Sequence, residues 1–558
     1  MFHPDNQITR SNINAGNLGL PDTSLSLTES DTNSIIDWVR GKDIRDSNKN
    51  GDITEERKQY ADPLHSNPVM VTYGVNDAAY DSVVFFGTNE GFLHAVDIVT
   101  GEDLFSFIPW DLLGNLKTSF INQPFGEKLY GMDGFISSWI EDSNNNGYVD
   151  DTSGHAYLYT GMRRGGRNYY ALDVSEKTSP QLLWTIEGGK GDFTELGQSW
   201  SKMVHSKMKH PATGVATDVL VFSGGYDDSQ DDSPHRSADS MGRAIYIVNA
   251  ETGDLIWSAG PADATLELEE MKYSIPATPT VIDVNSDGLL DQLYVGDLGG
   301  QVWRFDFPAT AAPTGGVIAS LSSEETGAKL FFASPDVALV SSNIADIEIV
   351  VAIGSGSRHQ PVSLSEDNVF YTLSQDSVSE PPAGYGVKVN DSEYRPLTHA
   401  DLVNITDNKI FEGTESERAD VAKALEEARG WYLELEALGE KVFSSAAIID
   451  DKVVFTSYVP GEVLDCAIGL GTNRMYVVDI FNGSPVVNNF ESDNADGNNM
   501  LTKADRFSEL ATTGISAAPK VIFSGSTDSV SVLIGPELAG TIPVEFFRRQ
   551  YWSEYPEF

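Results

Sequence analysis

One pattern recurs along the chain and restricts its fold more than any other feature. A β-rich run leads through a glycine-containing turn to a second β-rich run, then to Asp-x-x-Thr-Gly and an aromatic strand; DSVVFFGTNEGFLHAVDIVTGEDLFSF (81–107) shows it complete. YLYTGMRRGGRNYYALDVSEKTSPQLLWTI (157–186) repeats the plan, as does 218–258, where Asn249 replaces the aspartate. DQLYVGDLGGQVWRFDF (291–307) is a compact version, 347–376 and 451–487 carry long insertions at the first turn, and PKVIFSGSTDSVSVLIG (519–535) reads as a shortened last copy. Each copy alternates Val, Tyr, Phe and Ile between Gly, Asn and Asp turns, the signature of a small antiparallel sheet. One such sheet cannot bury both faces alone; arranged radially, each packs on its neighbours and leaves only short edges. The expected fold is all-β, a seven-bladed, quinoprotein-like β-propeller over residues 61–558. The Trp of Asp-x-x-Thr-Gly-x-x-x-Trp is read as a structural wedge between blades.

Two stretches depart from the repeat. Residues 1–60 lack it and read as an irregular lead-in, with a short helix near TNSIIDWVRG. A helical insertion is expected at about 399–430, where Thr414 and Glu417 form a capping box ahead of SERADVAKALEEARG and Gly430 supplies the stop.

Composition narrows the function. Hydrophobic residues make up 40% of the 558 and aromatic residues 10%, enough for a packed core. The charge stands apart, with 37 basic against 83 acidic residues and a net of −46. Such a surface repels nucleic acid and anionic lipid, and makes cations its natural small partners. Cys466 is the single cysteine, so no internal disulfide can form. No run of about 18 apolar residues is present to span a membrane. The start, MFHPDNQITRSNINAG, has neither the basic nor the apolar region of a signal peptide and reads as the interior of a longer protein.

Those cations have a candidate seat in DVNSDGLLD (283–291). Asp283, Asn285 and Asp287 alternate, Gly288 permits a sharp turn, the Leu289 carbonyl falls at the seventh position and Asp291 at the ninth. This is the first nine positions of an EF-hand-type calcium loop, and calcium takes six to eight oxygens of this kind. Tyr294 stands at the twelfth position, where an EF-hand has a bidentate Glu, and the flanks TPTVI and QLYVG are strands. The expectation is a calcium loop on a strand–loop–strand frame, with a dissociation constant on the order of 10⁻⁶–10⁻⁴ M. The competing reading is an Asx-turn-rich loop without an ion, which leaves three carboxylates repelling one another. Two weaker candidates share the spacing. One is Asp142, Asn144, Asn146, the Tyr148 carbonyl and Asp150; the other is Asp46, Asn48, Asn50, the Asp52 carbonyl and Thr54. Five acids within 224–240 show no such spacing and read as a solvated loop. The nine histidines have no zinc spacing, and no P-loop is present.

Several long motifs in one order, ADPLHSNPVMVTYG, FFGTNEGFLHAVDIVTGE, GMRRGGRNYYALDVS, YSIPATPTVIDVNSDGLLDQLYVGDLGGQVWRFD and GWYLEL, resemble the C-terminal propeller of the PilC/PilY family from about Ile36 to FFRRQYWSEY. That resemblance implies a non-enzymatic type IV pilus assembly factor and tip adhesin, exported to the pilus tip, outer membrane or cell surface. It implies minor pilins of the tip complex as partners, with host or abiotic surfaces as further ligands. It also implies calcium at Asp283, Asn285, Asp287, Leu289 and Asp291, whose occupancy sets pilus extension against retraction and so supports twitching motility and attachment. The other two loops lie outside the shared pattern and rest on spacing alone. The family's variable N-terminal region is absent from this sequence, which weakens the case for direct adhesion. Two alternatives stand beside this reading: a quinoprotein dehydrogenase, whose propeller shares the Trp repeat and uses calcium beneath a quinone beside a vicinal Cys-Cys pair, and a scaffold whose calcium is silent.

Overall fold

Alternation of apolar and polar residues sets strand pairing, and hairpin turns then fix the register. The computed structural model describes residues 7–9, 12, 16–18, 29–76, 79–122, 128–142, 144, 146–149, 154–231, 237–323, 327–343, 346–382, 395–461, 463–464, 467–487, 501–523 and 529–544. The chain divides into two compact units, Met1–Gln230 with Ala238–Thr278, and Asp231–Ser237 with Pro279–Phe558.

The first unit carries three antiparallel sheets. Val69–Asn76, Ala79–Gly87, Leu93–Asp97 and Asp103–Phe107 form one, and Ile136–Asp142, Gly154–Gly161, Tyr169–Asp173 and Gln181–Ile186 the next. The third comprises Val204–Lys209, Ala216–Ser223, Ile245–Asn249 and Leu255–Gly260, with Leu266–Glu267 added in parallel. The second unit carries four larger sheets and a two-stranded hairpin, Val463–Leu464 with Ala467–Ile468. Its first is Thr280–Ile282, Gln292–Gly296, Gln301–Asp306 and Thr314–Ser320. Next come Asp336–Asn343, Asp346–Gly354, Val369–Gln375 and Gly430–Glu434, with Val403–Asn404 in parallel at the edge. Ala447–Ile449, Lys452–Val459, Thr472–Asp479 and Phe507–Glu509 follow, and Pro519–Ile522, Ser529–Ile534 and Glu537–Pro543 make a three-stranded last sheet. The protein is thus all-β with few helices, and among the described residues its seven sheets of three to five strands have the form of propeller blades, one for each copy of the repeat.

Within each unit the core lies between neighbouring sheets. Tyr159, Tyr169 and Trp184 of one sheet pack with Leu220, Phe222 and Tyr246 of the next. Phe370 and Trp431 pack likewise with Phe455 and Tyr476. Sheets covered on both faces account for strands such as Gln292–Gly296, buried at every position. The Asp-x-x-Thr-Gly element acts through two local devices. Asp97 Oδ1 accepts the Val99 and Thr100 N–H groups at 2.9 Å, and Asn249 Oδ1 repeats this with Glu251 and Thr252. Trp257, the tryptophan of that element, is 1% exposed, and two tryptophans outside it donate to carbonyls within such turns: Trp184 Nε1 to Ala250 O at 3.1 Å, and Trp431 Nε1 to Ile480 O at 2.8 Å.

In the lead-in, the helix Glu29–Val39 buries Ile35 and Ile36 against Leu18, Phe92, Leu113 and Leu116. In the insertion, the helix Glu415–Glu427 has the capping box expected of Thr414 and Glu417. Gly430 does not end it. Ala428 is the C-cap, and Gly430 opens the next strand at φ +126°, where a Cβ would lie 2.1 Å from the Thr372 carbonyl oxygen. Because this helix buries no residue, Thr414→Ala should cost it about 1 kcal/mol without moving the global melt. Hydrogen exchange will show this as faster amide exchange confined to 415–427.

Candidate calcium-binding loops

The loop 283–291 closes a hairpin. Thr280–Ile282 pairs with Gln292–Gly296, with Ile282 opposite Gln292, and the Asp291 N–H donates to Ile282 O at 3.0 Å. A turn this tight needs left-handed backbone at Ser286 (φ +61°) and Gly288 (φ +83°). The fold of the loop turns its side-chain oxygens inward. Asp283 accepts the Asp287 N–H at 3.2 Å and the Gly288 N–H at 2.8 Å. Asn285 Oδ1 accepts Asp287 N–H at 2.8 Å, and Asp287 Oδ1 accepts Leu289 N–H at 2.9 Å. Asp291 reaches back across the loop to the N–H groups of Val284 (2.9 Å) and Asn285 (3.3 Å). Burial pushes the Asp291 carboxyl up, the N–H bonds oppose that, and the charges of Asp287 and Asp283 push it up further. All three carboxylates therefore share one field, as the sequence spacing requires.

The two weaker candidates adopt the same backbone pattern. At the sixth position Gly51 has φ +86° and Gly147 +87°, beside +83° at Gly288; at the fourth, Lys49 (+58°) matches Ser286. Gly147 N–H donates to Asp142 at 2.7 Å and Tyr148 N–H to Asn146 at 3.0 Å; Gly51 N–H donates to Asp46 at 3.1 Å and Asp52 N–H to Asn50 at 2.8 Å. Asn144 accepts the Asn146 N–H at 3.1 Å and Asn48 the Asn50 N–H at 3.0 Å. Asp150 lies outside the described residues. At the ninth position of the other loop, the Thr54 hydroxyl donates to Asp52 at 2.7 Å, so it faces a neighbour within the loop. The sequence reading missed Glu55, whose carboxylate takes the amide groups of Asn48 and Asn50. Nothing in the nine-residue spacing marks the position after it.

Among the described residues no group of three or more His, Cys, Asp or Glu side chains is placed to hold a metal ion. In the 283–291 loop the remaining donors are the Asn285 amide oxygen and the Leu289 carbonyl. That donor set, all hard oxygen with three carboxylates, fits calcium. The acidic stretch 224–240 needs a correction. It is not wholly solvated, because Asp227 and Asp239 are only 2% and 5% exposed.

The frame around the main loop is polar and buried. Arg304 and Asp306, on the strand beside Gln292–Gly296, form an ion pair at 2.6 Å with side chains 0% and 5% exposed. The Phe307 N–H, next along, holds Asp291 O at 2.8 Å. Residues 51–345, more than half of the chain, match the model of the PilY1 β-propeller domain. The chain belongs to that family. A type IV pilus biogenesis factor PilY1 homolog of Xylella fastidiosa is 25% identical over 416 residues, covering 72% of this chain and 26% of that protein. The type IV pilus biogenesis factor PilY1 of Pseudomonas aeruginosa (strain UCBPP-PA14) is 27% identical over 287 residues, 49% of this chain and 22% of its own length. The chain thus spans about a quarter of the curated PilY1 relatives it matches. The crystal structure of the Pseudomonas aeruginosa PilY1 C-terminal domain shares the fold, with a TM-score of 0.56 at 18% identity over 83% of this chain and 92% of that one. Two of the three candidate loops, 142–150 and 283–291, lie inside the matched region. No helix among the described residues is long and apolar enough to cross a membrane.

Proposed function

We propose that this chain is a calcium-binding PilY1 propeller that serves type IV pilus biogenesis at the pilus tip or cell surface, without enzymatic activity, with minor pilins as partners. Calcium in the 283–291 loop would set pilus extension against retraction, and thereby twitching motility and attachment. The observation that carries this reading is the set of Asp283, Asn285, Asp287 and Asp291 side chains turned into one hairpin loop within the matched PilY1 propeller region, where the spacing adds the Leu289 carbonyl as a fifth donor. Bound calcium supplies charge neutralisation for three carboxylates that otherwise repel. The protein's own part is to hold those oxygens on a stiff frame: Asp291 is tied to Ile282 on one side and to Phe307 on the other. Thr280 Oγ1 in turn donates to Pro335 O, at the foot of the next sheet, at 2.5 Å. Order gained at the loop is thereby passed to neighbouring strands, a route by which a small ion can stiffen a surface that other subunits grip.

Calorimetric titration tests the site and a thermal melt tests its coupling to the fold. Calcium at 100 times its dissociation constant should stabilise the protein by about 2.7 kcal/mol, and Asp291→Ala should abolish both the heat at this site and its share of the stabilisation. Identical melts with and without calcium would remove the site. The pilus role is read separately, from surface pili and twitching in cells whose parent protein carries Asp291→Ala. Wild-type behaviour there, with binding lost in vitro, would leave calcium a silent structural ion.

A further inference from the structure

The chain contains three Asn-Gly pairs, at 50–51, 146–147 and 482–483. Asparagine is thermolabile, and most so before glycine, which has no Cβ to shield its backbone nitrogen. Two of the pairs hold the fifth and sixth positions of the weaker candidate loops, Asp46-x-Asn48-x-Asn50-Gly51 and Asp142-x-Asn144-x-Asn146-Gly147. Asp283-x-Asn285-x-Asp287-Gly288 is the same pattern with one change, an aspartate at the fifth position. Loss of a single amide group therefore converts either weaker loop into the pattern of the strongest.

The geometry for that loss is in place at Asn50. The Gly51 N–H donates to both oxygens of Asp46, at 3.1 and 3.2 Å, so a carboxylate already holds the proton that has to leave. The Asp52 N–H donates to Asn50 Oδ1 at 2.8 Å, which turns that carbonyl toward the following backbone and polarises it for attack. Asn50 and Gly51 are exposed, and a Cβ on Gly51 would meet nothing within 4 Å, so water has access. Asn146 repeats the arrangement: the Gly147 N–H reaches Asp142 at 2.7 Å, the Tyr148 N–H reaches Asn146 Oδ1 at 3.0 Å, and the space at Gly147 is open. Asn482 has the same side-chain turn, accepting the Ser484 N–H at 2.9 Å. There, however, the Gly483 N–H goes to the Asp479 backbone carbonyl at 2.8 Å, and Gly483 is buried against Ile405. That pair has neither a carboxylate on the N–H nor room for water.

We propose that Asn50 and Asn146 are sites of intramolecular deamidation, a covalent change that gives each loop the carboxylate it lacks. The Gly51 nitrogen, its proton passing to Asp46, bonds to Asn50 Cγ. The Cγ–Nδ2 bond breaks, and the amide leaves as ammonia with that proton. Water then opens the cyclic imide at one of its two carbonyls, leaving an aspartate or an isoaspartate at position 50. Nothing is oxidised or reduced, and water is the one added reactant. The isoaspartate lengthens the main chain and breaks the turn. The aspartate puts a carboxylate against Glu55, which accepts the Asn50 amide at 3.1 and 3.2 Å before the change. Two such carboxylates repel without a cation, so the product loop is weaker alone and a better seat for calcium. This gain in calcium binding rests on the calcium reading of the loop; the deamidation itself does not.

Peptide mapping by mass spectrometry, on the full chain aged at mildly alkaline pH without added calcium, reads the amide-to-acid exchange at each pair. Asn50 and Asn146 should convert well ahead of Asn482. In urea, where the loops come apart, the three should convert at similar rates. Asp46→Asn should slow Asn50 by about ten-fold, less than a strong positioned base supplies because a carboxylate is weakly basic. Asn146 should keep its rate in that variant and serves as the internal reference. Asp142→Asn repeats the measurement at the other loop, which preserves the test if Asp46→Asn fails to fold. Asn482 converting as fast as Asn50 in the folded protein, or rates unmoved by both carboxylate replacements, would overturn the proposal. Calorimetry on Asn50→Asp reads the consequence separately: calcium should bind this loop more tightly than in wild type, even with Asp291→Ala in place. Unchanged binding there would remove the gain in calcium affinity and the calcium reading of this loop, while conversion at Asn50 would still stand.

Discussion

Asp306→Ala should destabilise the protein by about 3–5 kcal/mol, because it strips a buried guanidinium of its counter-ion while leaving the charge in place. Arg304 is 0% exposed and gives Asp306 three bonds of 2.6–3.0 Å. It also holds Ser377 O at 2.6 Å and Glu380 O at 3.2 Å, so the cation cannot swing out to water without releasing that segment. Urea unfolding reads the loss as a lower midpoint at unchanged slope. The pair also supports the candidate calcium loop. Asp306 is opposite Gln292 in the ladder, Gln292 follows Asp291, and the Phe307 N–H holds Asp291 O. Removing groups that orient metal ligands commonly weakens binding ten-fold or more, so the calcium dissociation constant of Asp306→Ala should rise by about that factor. The double replacement Arg304→Met with Asp306→Leu removes both charges and should recover most of the stability. A single variant that unfolds like wild type would mean the pair is solvated enough to be dispensable.

Why the sequence announced the loop and not this support is a matter of range. The 283–291 pattern is local: nine consecutive residues place every donor, and the φ values at Ser286 and Gly288 follow from residues that tolerate them. The turns at Asp97 and Asn249 are local in the same sense, which is why the sheets could be counted from their repeats. Arg304 and Asp306 sit two apart in a strand, where alternation puts them on one face and hydropathy puts that face in water. Only the stacking of segment 377–380 over them, about seventy residues on, buries the pair. Asp227 and Asp239 were misjudged for the same reason: Ser274, 35 positions along, closes over Asp239. Gly430 misled differently. Its place after a helix matches a stop signal, but its conformation answers to the approach of Thr372. The parallel edge strands Leu266–Glu267 and Val403–Asn404 are two residues long and have no period to read.

Trp431→Ala should cost a similar amount, about 3–5 kcal/mol, by a different route and with a different consequence for calcium. Trp431 is 1% exposed and fills the space between its own sheet and the next, among Phe370, Ile405, Phe455 and Ile480. Truncation leaves a cavity that Phe370 and Phe455, stacked at 3.8 Å and 7°, are too constrained to collapse into. It also orphans Ile480 O, which now accepts from Trp431 Nε1. Trp431→Phe separates the two effects: it keeps most of the apolar volume and loses the indole donor, so it should cost about 1–3 kcal/mol. Neither variant touches the sheet that carries the 283–291 loop. Perturbations without shared partners act almost independently, so calcium affinity measured on the folded protein should stay at the wild-type value, in contrast to Asp306→Ala. If Trp431→Ala weakened calcium binding as much as Asp306→Ala does, the loop would be responding to global stability, and its hairpin frame could not be what holds the ligands.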